Sequence, residues 1–274
     1  MIRWATIADV LTYLSAARLA GVVETPRERS LRRYRQFADR DPRVLLGIDP
    51  QGVWDEAELL GLMARGCGVS ADPRHRSGPD VIDPVLTLAA LDAFAARLAA
   101  AARRHAPVLF GTGHPRSLLG FYAALADALS AAGCEVLTPA QGRCIDILTH
   151  FGLRTHRVDY VRRVALVRET EGGRPGCEPG AHCHSPLPVR VALEAAAAAG
   201  GPLPELVVGD HGWLCGAGQL GFEAIGPADS DDPAPFVGQA EGTVRVVVPL
   251  DDGVRSSHYL PLTRYVLKRA CLSQ

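Results

Sequence analysis

Apolar residues repeat at helical spacing through the first hundred positions of the chain. Between residues 7 and 21 they recur every three to four positions, and Gly21 suits the end of a helix. Further helices are expected from Thr25 as N-cap with Pro26 as first helical residue, over 54–63, and from Asp83-Pro84 to about 104. Residues 1–104 are therefore expected to be mainly helical.

The pattern changes after Pro107, where short apolar runs alternate with longer helical segments. The runs predict strands over 108–110, 135–137, 164–167, 206–208 and 244–248, and the helical segments cover 115–132, 188–199 and 260–270. Such alternation predicts a Rossmann-like, mostly parallel sheet with helices on both faces. We expect this α/β core over 105–274, within a single domain 1–274, and the pattern over 139–180 is unclear.

Two polar turns follow predicted strands, where open α/β sheets bind their ligands. The first contains Gly113, His114, Arg116 and Ser117. Its glycines allow close backbone approach, Pro115 can begin the next helix, and free amides at a helix start attract an anion. These residues predict a phosphate site, although tight turns also use Gly and Pro for geometry alone.

The second turn begins with Asp210 and His211 and continues to Gly216 and Gln219. Carboxylate oxygen and imidazole nitrogen both bind divalent metals, so Asp210 is a candidate metal ligand or water activator. Alternatively, Asp210 caps a helix and Trp213 fills the core. Asp229, in an acidic loop, is a second tentative ligand, and the cofactor expected is Mg²⁺ or a similar ion.

Other polar residues could add to this site. His114 or His211 could protonate a leaving alkoxide, since imidazole titrates near neutral pH. Candidates for a phosphate clamp are Arg27, Arg76 and Arg116, with Arg33 and Arg35 beside Arg27 on a helix whose alternative role is a solvated basic face. Soft ligands crowd together at Cys177, His182, Cys183 and His184, but their spacing matches no familiar zinc finger, and His184 is retained as a substrate-binding residue.

The amino-acid composition excludes several classes of enzyme and of binding partner. Of the 29 basic residues only Lys268 is a lysine, so a P-loop kinase and a Schiff-base enzyme are excluded. The net charge of −1 offers no broad positive field for a nucleic-acid polymer. Without an apolar run of about 18 residues or a signal-peptide pattern, we expect a cytoplasmic protein that contacts no membrane.

Seven short strings occur in order over most of the chain. They are Thr-Pro-Arg-Glu at 25–28, Asp-Pro-Arg-His-Arg at 72–76, Ile-Asp-Pro at 82–84, Gly-His-Pro at 113–115, Asp-His-Gly-Trp at 210–213, Ala-Gly-Gln at 217–219 and Val-Pro-Leu-Asp-Asp at 248–252. Together they resemble an actinobacterial family named simply phosphatase, known from Streptomyces. The resemblance implies hydrolysis of a phosphate monoester, of a nucleotide or related sugar phosphate, and it is poorest over 139–180.

Familiar phosphatase motifs are missing from the chain. It lacks the Asp-x-Asp-x-Thr/Val motif of haloacid-dehalogenase-like enzymes, the Cys-x5-Arg loop of tyrosine phosphatases and the Arg-His-Gly of the phosphohistidine type. Direct attack by water and a covalent intermediate both stay open. The rival hypotheses are a non-catalytic nucleotide or sugar-phosphate binding protein and a phosphotransferase or nucleotide-sugar enzyme. The expected partner is a small-molecule phosphate ester, and a homodimer is possible.

Overall fold

The computed structural model describes residues 6–149, 152–170 and 180–272. In chain order the elements are α1 Ile7–Ala16, β1 Gly21–Pro26, α2 Arg27–Ala38, α3 Pro42–Leu45, α4 Glu56–Gly66, β2 Pro79–Ile82, α5 Pro84–Arg104, β3 Val108–Gly111, α6 Pro115–Ala131, β4 Cys144–Thr149, β5 Gly152–Val161, β6 Val164–Glu169, α7 Leu187–Ala198, β7 Leu206–Gly209, α8 His211–Gln219, β8 Ala224–Ala228, α9 Pro233–Ala240, β9 Val246–Pro249 and α10 Tyr259–Arg269.

A seven-stranded sheet in the order β4-β5-β6-β3-β7-β8-β9 forms the centre of the molecule. The five strands from β6 to β9 pair in parallel, whereas β4 and β5 add an antiparallel edge. Helices surround the sheet in two packed groups, one of α1, α5, α6 and α10 and the other of α2, α4, α7, α8 and α9. The predicted fold class, a mostly parallel α/β sheet after a mainly helical N-terminal part, is confirmed.

Short polar residues and prolines set the helix starts. Asp83 accepts a hydrogen bond from the Val85 backbone N–H at the start of α5, with Pro84 as first helical residue, as expected. By length and apolar composition α5 could cross a membrane. Leu91, Phe94 and Leu98 of this helix are nevertheless buried inside the protein, and core helices share this composition.

Several predicted boundaries were wrong. Thr25 and Pro26 belong to β1 rather than to a helix, because Pro26 has an extended backbone and α2 begins after it. Gly21 does not end α1, which stops at Ala16; its positive φ of 77° instead starts β1. Of the strand expected over 135–137, the structure shows an isolated bridge from Val136 to Val108.

Strand β8 was not predicted from the sequence, since Gly226 and Pro227 interrupt its apolar run. The structure explains the glycine. A Cβ at position 226 would overlap the Gly209 carbonyl oxygen on β7, so the two strands approach closely only because Gly226 has no side chain. The neighbouring strand end, Gly209, leads directly into the second polar turn.

Candidate active site

The two polar turns meet at one edge of the sheet. Because β3 and β7 are neighbouring parallel strands, their carboxyl ends lie side by side. The Gly113 backbone N–H donates a hydrogen bond of 2.9 Å to Oδ2 of Asp210, joining the turns directly. The adjacency expected from the sequence is therefore present.

A third segment, residues 180–186, packs over both turns. The Cys183 backbone N–H donates to the Gly113 carbonyl at 3.0 Å. A Cβ at Gly113 would overlap the Cys183 carbonyl oxygen, and a Cβ at Gly212 would overlap the Ser185 carbonyl oxygen. These two glycines let the segment lie close enough to bring His182 and His184 to the turns.

Four histidines converge at this point: His114, His182, His184 and His211. The ring centroids of His114 lie 4.2 Å from His182 and 4.3 Å from His211, and His184 stacks on His211 at 4.1 Å. We name this group the histidine cluster. Together with Asp232 it offers two overlapping triads that could hold a metal ion, His114-His182-His211 and His184-His211-Asp232, each with its ligand atoms within 4.8 Å of one another.

The spacing of two nitrogens in the histidine cluster suits a shared ion. Nε2 of His182 and Nε2 of His184 are 2.9 Å apart. Two imidazole nitrogens on one tetrahedral ion, each about 2.0–2.1 Å from it, stand about 3.3 Å apart. A small rearrangement would therefore place both on one metal.

Buried carboxylates surround the histidines. Oδ2 of Asp210 lies 3.4 Å from Nδ1 of both His114 and His211, and Oδ2 of Asp232 lies 2.8 Å from Nε2 of His211. Burial opposes ionisation of Asp210, but the two imidazoles outweigh it and hold the pKa of Asp210 well below its usual range. Asp210 is thus placed to orient the rings.

The surroundings shift the pKa values of His182 and His184 in one direction and that of His211 in the other. Desolvation and the neighbouring imidazoles of His114 and His211 lower the pKa of His182 to about 3, and desolvation lowers that of His184 as well. Neutral imidazole is the metal-binding form. For His211, desolvation is opposed by the charges of Asp232 and Asp210, which raise its pKa, so a metal ion at this ring would have to displace a proton.

His211 itself has an unusual backbone. Its φ of +48° lies in the left-handed region, where a non-glycine residue is uncommon. Such strain persists where surrounding contacts fix it and is frequent at functional sites. The alternative of Asp210 as an ordinary helix cap is not supported, since its side chain makes no cap hydrogen bond to α8; Trp213 does fill the core.

A second group of carboxylates lies beside the histidines: Asp229, Asp251 and Asp252, each at most 5% exposed. One oxygen from each lies within 4.8 Å of the other two. We name this group the carboxylate cluster. Asp229, predicted as a tentative ligand, belongs to it, whereas Asp251 and Asp252 were missed although their position after a strand was the available signal.

Two arginines of α2 face the acidic loop at this site. Nε of Arg29 is 2.5 Å and Nε of Arg33 is 3.6 Å from Oδ2 of Asp231. They are four residues apart and so lie on one face of the helix. Arg33 is also close enough to influence the pKa values of His184 and Asp232. Arg33 is among the arginines considered above as phosphate ligands, whereas Arg29 was not predicted.

The proposed clamp arginine Arg27 has another role in the structure. It is fully buried and donates to the carbonyls of Ser70 at 2.6 Å and His75 at 3.1 Å, beside Asp80 at 3.5 Å. It therefore holds the 70–80 loop rather than a ligand at the strand ends.

Arg76 and Arg116 are exposed. Arg76 donates to the Pro73 carbonyl and borders a cavity of about 600 Å³ between α2 and α4, whose lining includes none of the four histidines. Arg116 is the second residue of α6, directly after the first turn. Of the two, Arg116 is the nearer to His114 along the chain.

Three other predicted phosphate ligands make structural contacts instead. Ser117 donates to the Asp252 carbonyl at 2.5 Å. Gly216 packs against Pro186 and Val189, and Oε1 of Gln219 accepts from the Asp49 backbone N–H at 2.9 Å. Gln219 ends the nine-residue helix α8 and so lies about 12 Å from its start.

Of the group of Cys177, His182, Cys183 and His184, predicted as possible soft ligands, the described members do not form one site. Cys177 lies outside the described residues. Burial raises the pKa of the Cys183 thiol to about 11, so this thiol stays protonated and is a poor metal ligand. His182 and His184 join His114 and His211 rather than a cysteine site.

Comparison with known proteins identifies the family of the chain. The model of a family described as Phosphatase matches residues 5–274. The chain is 42% identical to Phosphatase SCO2771 of Streptomyces coelicolor over 267 residues, which cover 97% of this chain and 96% of that protein. No solved structure matches the chain. The expected resemblance is confirmed: the chain belongs to the Phosphatase family.

Proposed function

We propose that this phosphatase hydrolyses phosphate monoesters of small molecules, nucleotides or related sugar phosphates, with the help of a divalent metal bound at the histidine cluster. The observation that carries the proposal is the convergence of four histidines and Asp232 at the carboxyl ends of β3 and β7. Family membership supports the phosphatase activity, and the donor set supports the metal.

The residues best placed to hold the ion are His182, His184, His211 and Asp232. Three imidazole nitrogens with one carboxylate suit zinc, manganese or iron better than the magnesium expected from the sequence, which prefers oxygen ligands. A bound ion of this kind polarises a phosphoryl oxygen and lowers the pKa of water. His182 remains accessible to solvent, which leaves a side of the cluster open to substrate.

The remaining residues have complementary roles. Asp210 accepts from the Gly113 backbone and faces both Nδ1 atoms, so it fixes the orientation of His114 and His211. His114 lies between the turn and solvent and is the candidate to protonate the leaving alkoxide. Arg29 and Arg33 can neutralise the phosphate oxygens, which a chain almost free of lysine must do with arginine.

A substrate panel tests the proposal. The metal-stripped protein is expected to be inactive, and Zn²⁺ or Mn²⁺ should restore release of inorganic phosphate from nucleoside monophosphates, sugar phosphates or para-nitrophenyl phosphate. Full activity in EDTA would rule out the metal but leave phosphate ester hydrolysis standing. Tight binding of these esters without phosphate release would favour a binding protein, and phosphate transfer to an added alcohol would favour a phosphotransferase.

The arginine pair should act mainly on substrate binding. We expect Arg33→Gln to raise KM about tenfold with a smaller change in kcat, because one charge-assisted hydrogen bond to phosphate is worth about 1.5–3 kcal/mol. Steady-state kinetics on the best panel substrate measure this. Arg32→Gln, an exposed arginine on the same helix, is the control and should leave KM unchanged. An equal effect of both substitutions would point to general surface charge.

A further inference from the structure

We infer that the site is dinuclear: the carboxylate cluster binds a second divalent cation, and Asp252 is shared between it and the ion at the histidine cluster. This inference rests on the proposed function only for the first ion. It assigns a separate binding role to Asp229 and Asp251, which approach from the ends of two other strands.

The geometry places the two clusters against each other. Asp229 follows β8, and Asp251 and Asp252 follow β9, so both arise at the same sheet edge as the histidine cluster. Oδ2 of Asp252 lies 3.4 Å from Nδ1 of His114 and 3.6 Å from Nε2 of His211. One carboxylate therefore reaches both groups, as a bridging ligand must.

The bonding of Asp252 is incomplete without a further partner. Its Oδ2 is buried and has no hydrogen-bond donor in the part of the chain that the structure describes. Buried carboxylate oxygens normally have a partner, and an orphan at a site of this kind calls for an explanation. Because this oxygen faces His114 and His211, an ion shared through Asp252 supplies that missing partner.

The charges of the carboxylate cluster are also unbalanced. Among the described residues, no arginine or lysine forms an ion pair with Asp229, Asp251 or Asp252. Crowded buried carboxylates are disfavoured unless a proton or a cation compensates them, and three oxygens within 4.8 Å of one another suit a cation.

The existing hydrogen bonds leave the cluster able to bind an ion. Thr25 donates to Asp229 at 2.5 Å, and the backbone N–H groups of Glu24 and Gly253 donate to Asp251. These contacts fix the carboxylates without using all their lone pairs. An all-oxygen set selects a hard cation, Mg²⁺ or Mn²⁺, in contrast to the nitrogen-rich histidine cluster.

Two ions at these clusters could stabilise more of the reacting oxygens than one ion could. Paired metals about 3.5–4 Å apart stabilise both the attacking and the leaving oxygens of a phosphoryl group. The carboxylate cluster contributes oxygens on one side and the histidine cluster nitrogens on the other. This arrangement fits a single-step displacement by water, in which the water oxygen bonds to phosphorus, the ester oxygen departs and takes up a proton, and inorganic phosphate is released.

Metal counting tests the inference independently of activity. The stripped full-length chain is loaded with Mn²⁺, which accepts both nitrogen and oxygen ligands, and desalted. Elemental analysis should find two Mn²⁺ per chain, and electron paramagnetic resonance should show a spin-coupled pair in place of the six lines of an isolated ion. One Mn²⁺ per chain in the wild-type protein would overturn the proposal.

Variants of individual ligands then show which residues bind each of the two ions. Asp229→Asn and Asp251→Asn should each bind one Mn²⁺ with a six-line signal, and His182→Ala should keep the other ion. Asp127→Asn, at an exposed carboxylate paired with Arg163, is the matched control and should bind two. Two ions retained by the Asp229→Asn/Asp251→Asn double variant would also overturn the proposal, and the wild-type spectrum decides the matter if a variant fails to fold.

The outcomes separate this inference from the proposed function. Hydrolysis with a single ion would remove the second site and keep the phosphatase mechanism at the histidine cluster. Two coupled ions without hydrolysis of any phosphate monoester would keep the dinuclear centre and remove the proposed reaction.

Discussion

His211→Ala is expected to lower kcat/KM for phosphate ester hydrolysis by about 10³-fold, since an ion that stabilises the transition state by several kcal/mol would lose a central ligand. His211 belongs to both histidine triads and stacks on His184. It also faces carboxylates on two sides, Asp210 through Nδ1 and Asp232 through Nε2. No other histidine of the cluster combines these contacts.

The measurement pairs kinetics with metal content. His75→Ala removes an exposed histidine in the loop before β2 and should leave both unchanged. Asp210→Asn should have a smaller effect, about 10–100-fold, since its carboxylate contacts the rings rather than the reacting atoms. Near wild-type activity of His211→Ala would refute the proposed site.

Gly113→Ala is expected to abolish most activity and to destabilise the fold by about 1–3 kcal/mol. The added methyl group would overlap the Cys183 carbonyl oxygen and crowd Nδ1 of His211 at 2.9 Å. The 180–186 segment would have to move outward, taking His182 and His184 with it. A displacement of about 1 Å at reacting groups can cost about 10²-fold in rate.

A second glycine gives a close control for this substitution. Gly120 is an exposed position on α6, seven residues further along, and a Cβ there meets nothing within 4 Å. Gly120→Ala should keep full activity and raise stability by about 0.5–1 kcal/mol, as expected for alanine in a helix. Thermal or urea unfolding together with kcat gives both readouts. Unchanged activity in Gly113→Ala would show that the segment need not pack against the turn.

Local pattern was enough to predict the first and second turns and their adjacency. Strands β3 and β7 are short, apolar and bounded by glycine, so their ends were visible in the sequence. Parallel pairing then brought His114 and His211 together. In contrast, β8 could not be predicted because Gly226 and Pro227 interrupt its apolar run, and the close approach of β7 explains only the glycine.

The ligands from loops and helices were harder to predict. His182 and His184 lie in an irregular segment whose position depends on the missing side chains of Gly113 and Gly212. On α2, a difference of two residues separates Arg27, which is buried, from Arg29, which faces the acidic loop, and only Arg27 was predicted. Such a choice depends on the rotation of the helix, which an arginine-rich face does not specify.

The histidine and carboxylate clusters join parts of the chain from His114 to Asp252. An ion that binds across them in the folded protein, and not in the unfolded chain, would add its binding free energy to the stability of the fold. For a protein whose described cysteines are all free, the metal concentration would then affect the stability of the fold as well as its chemistry.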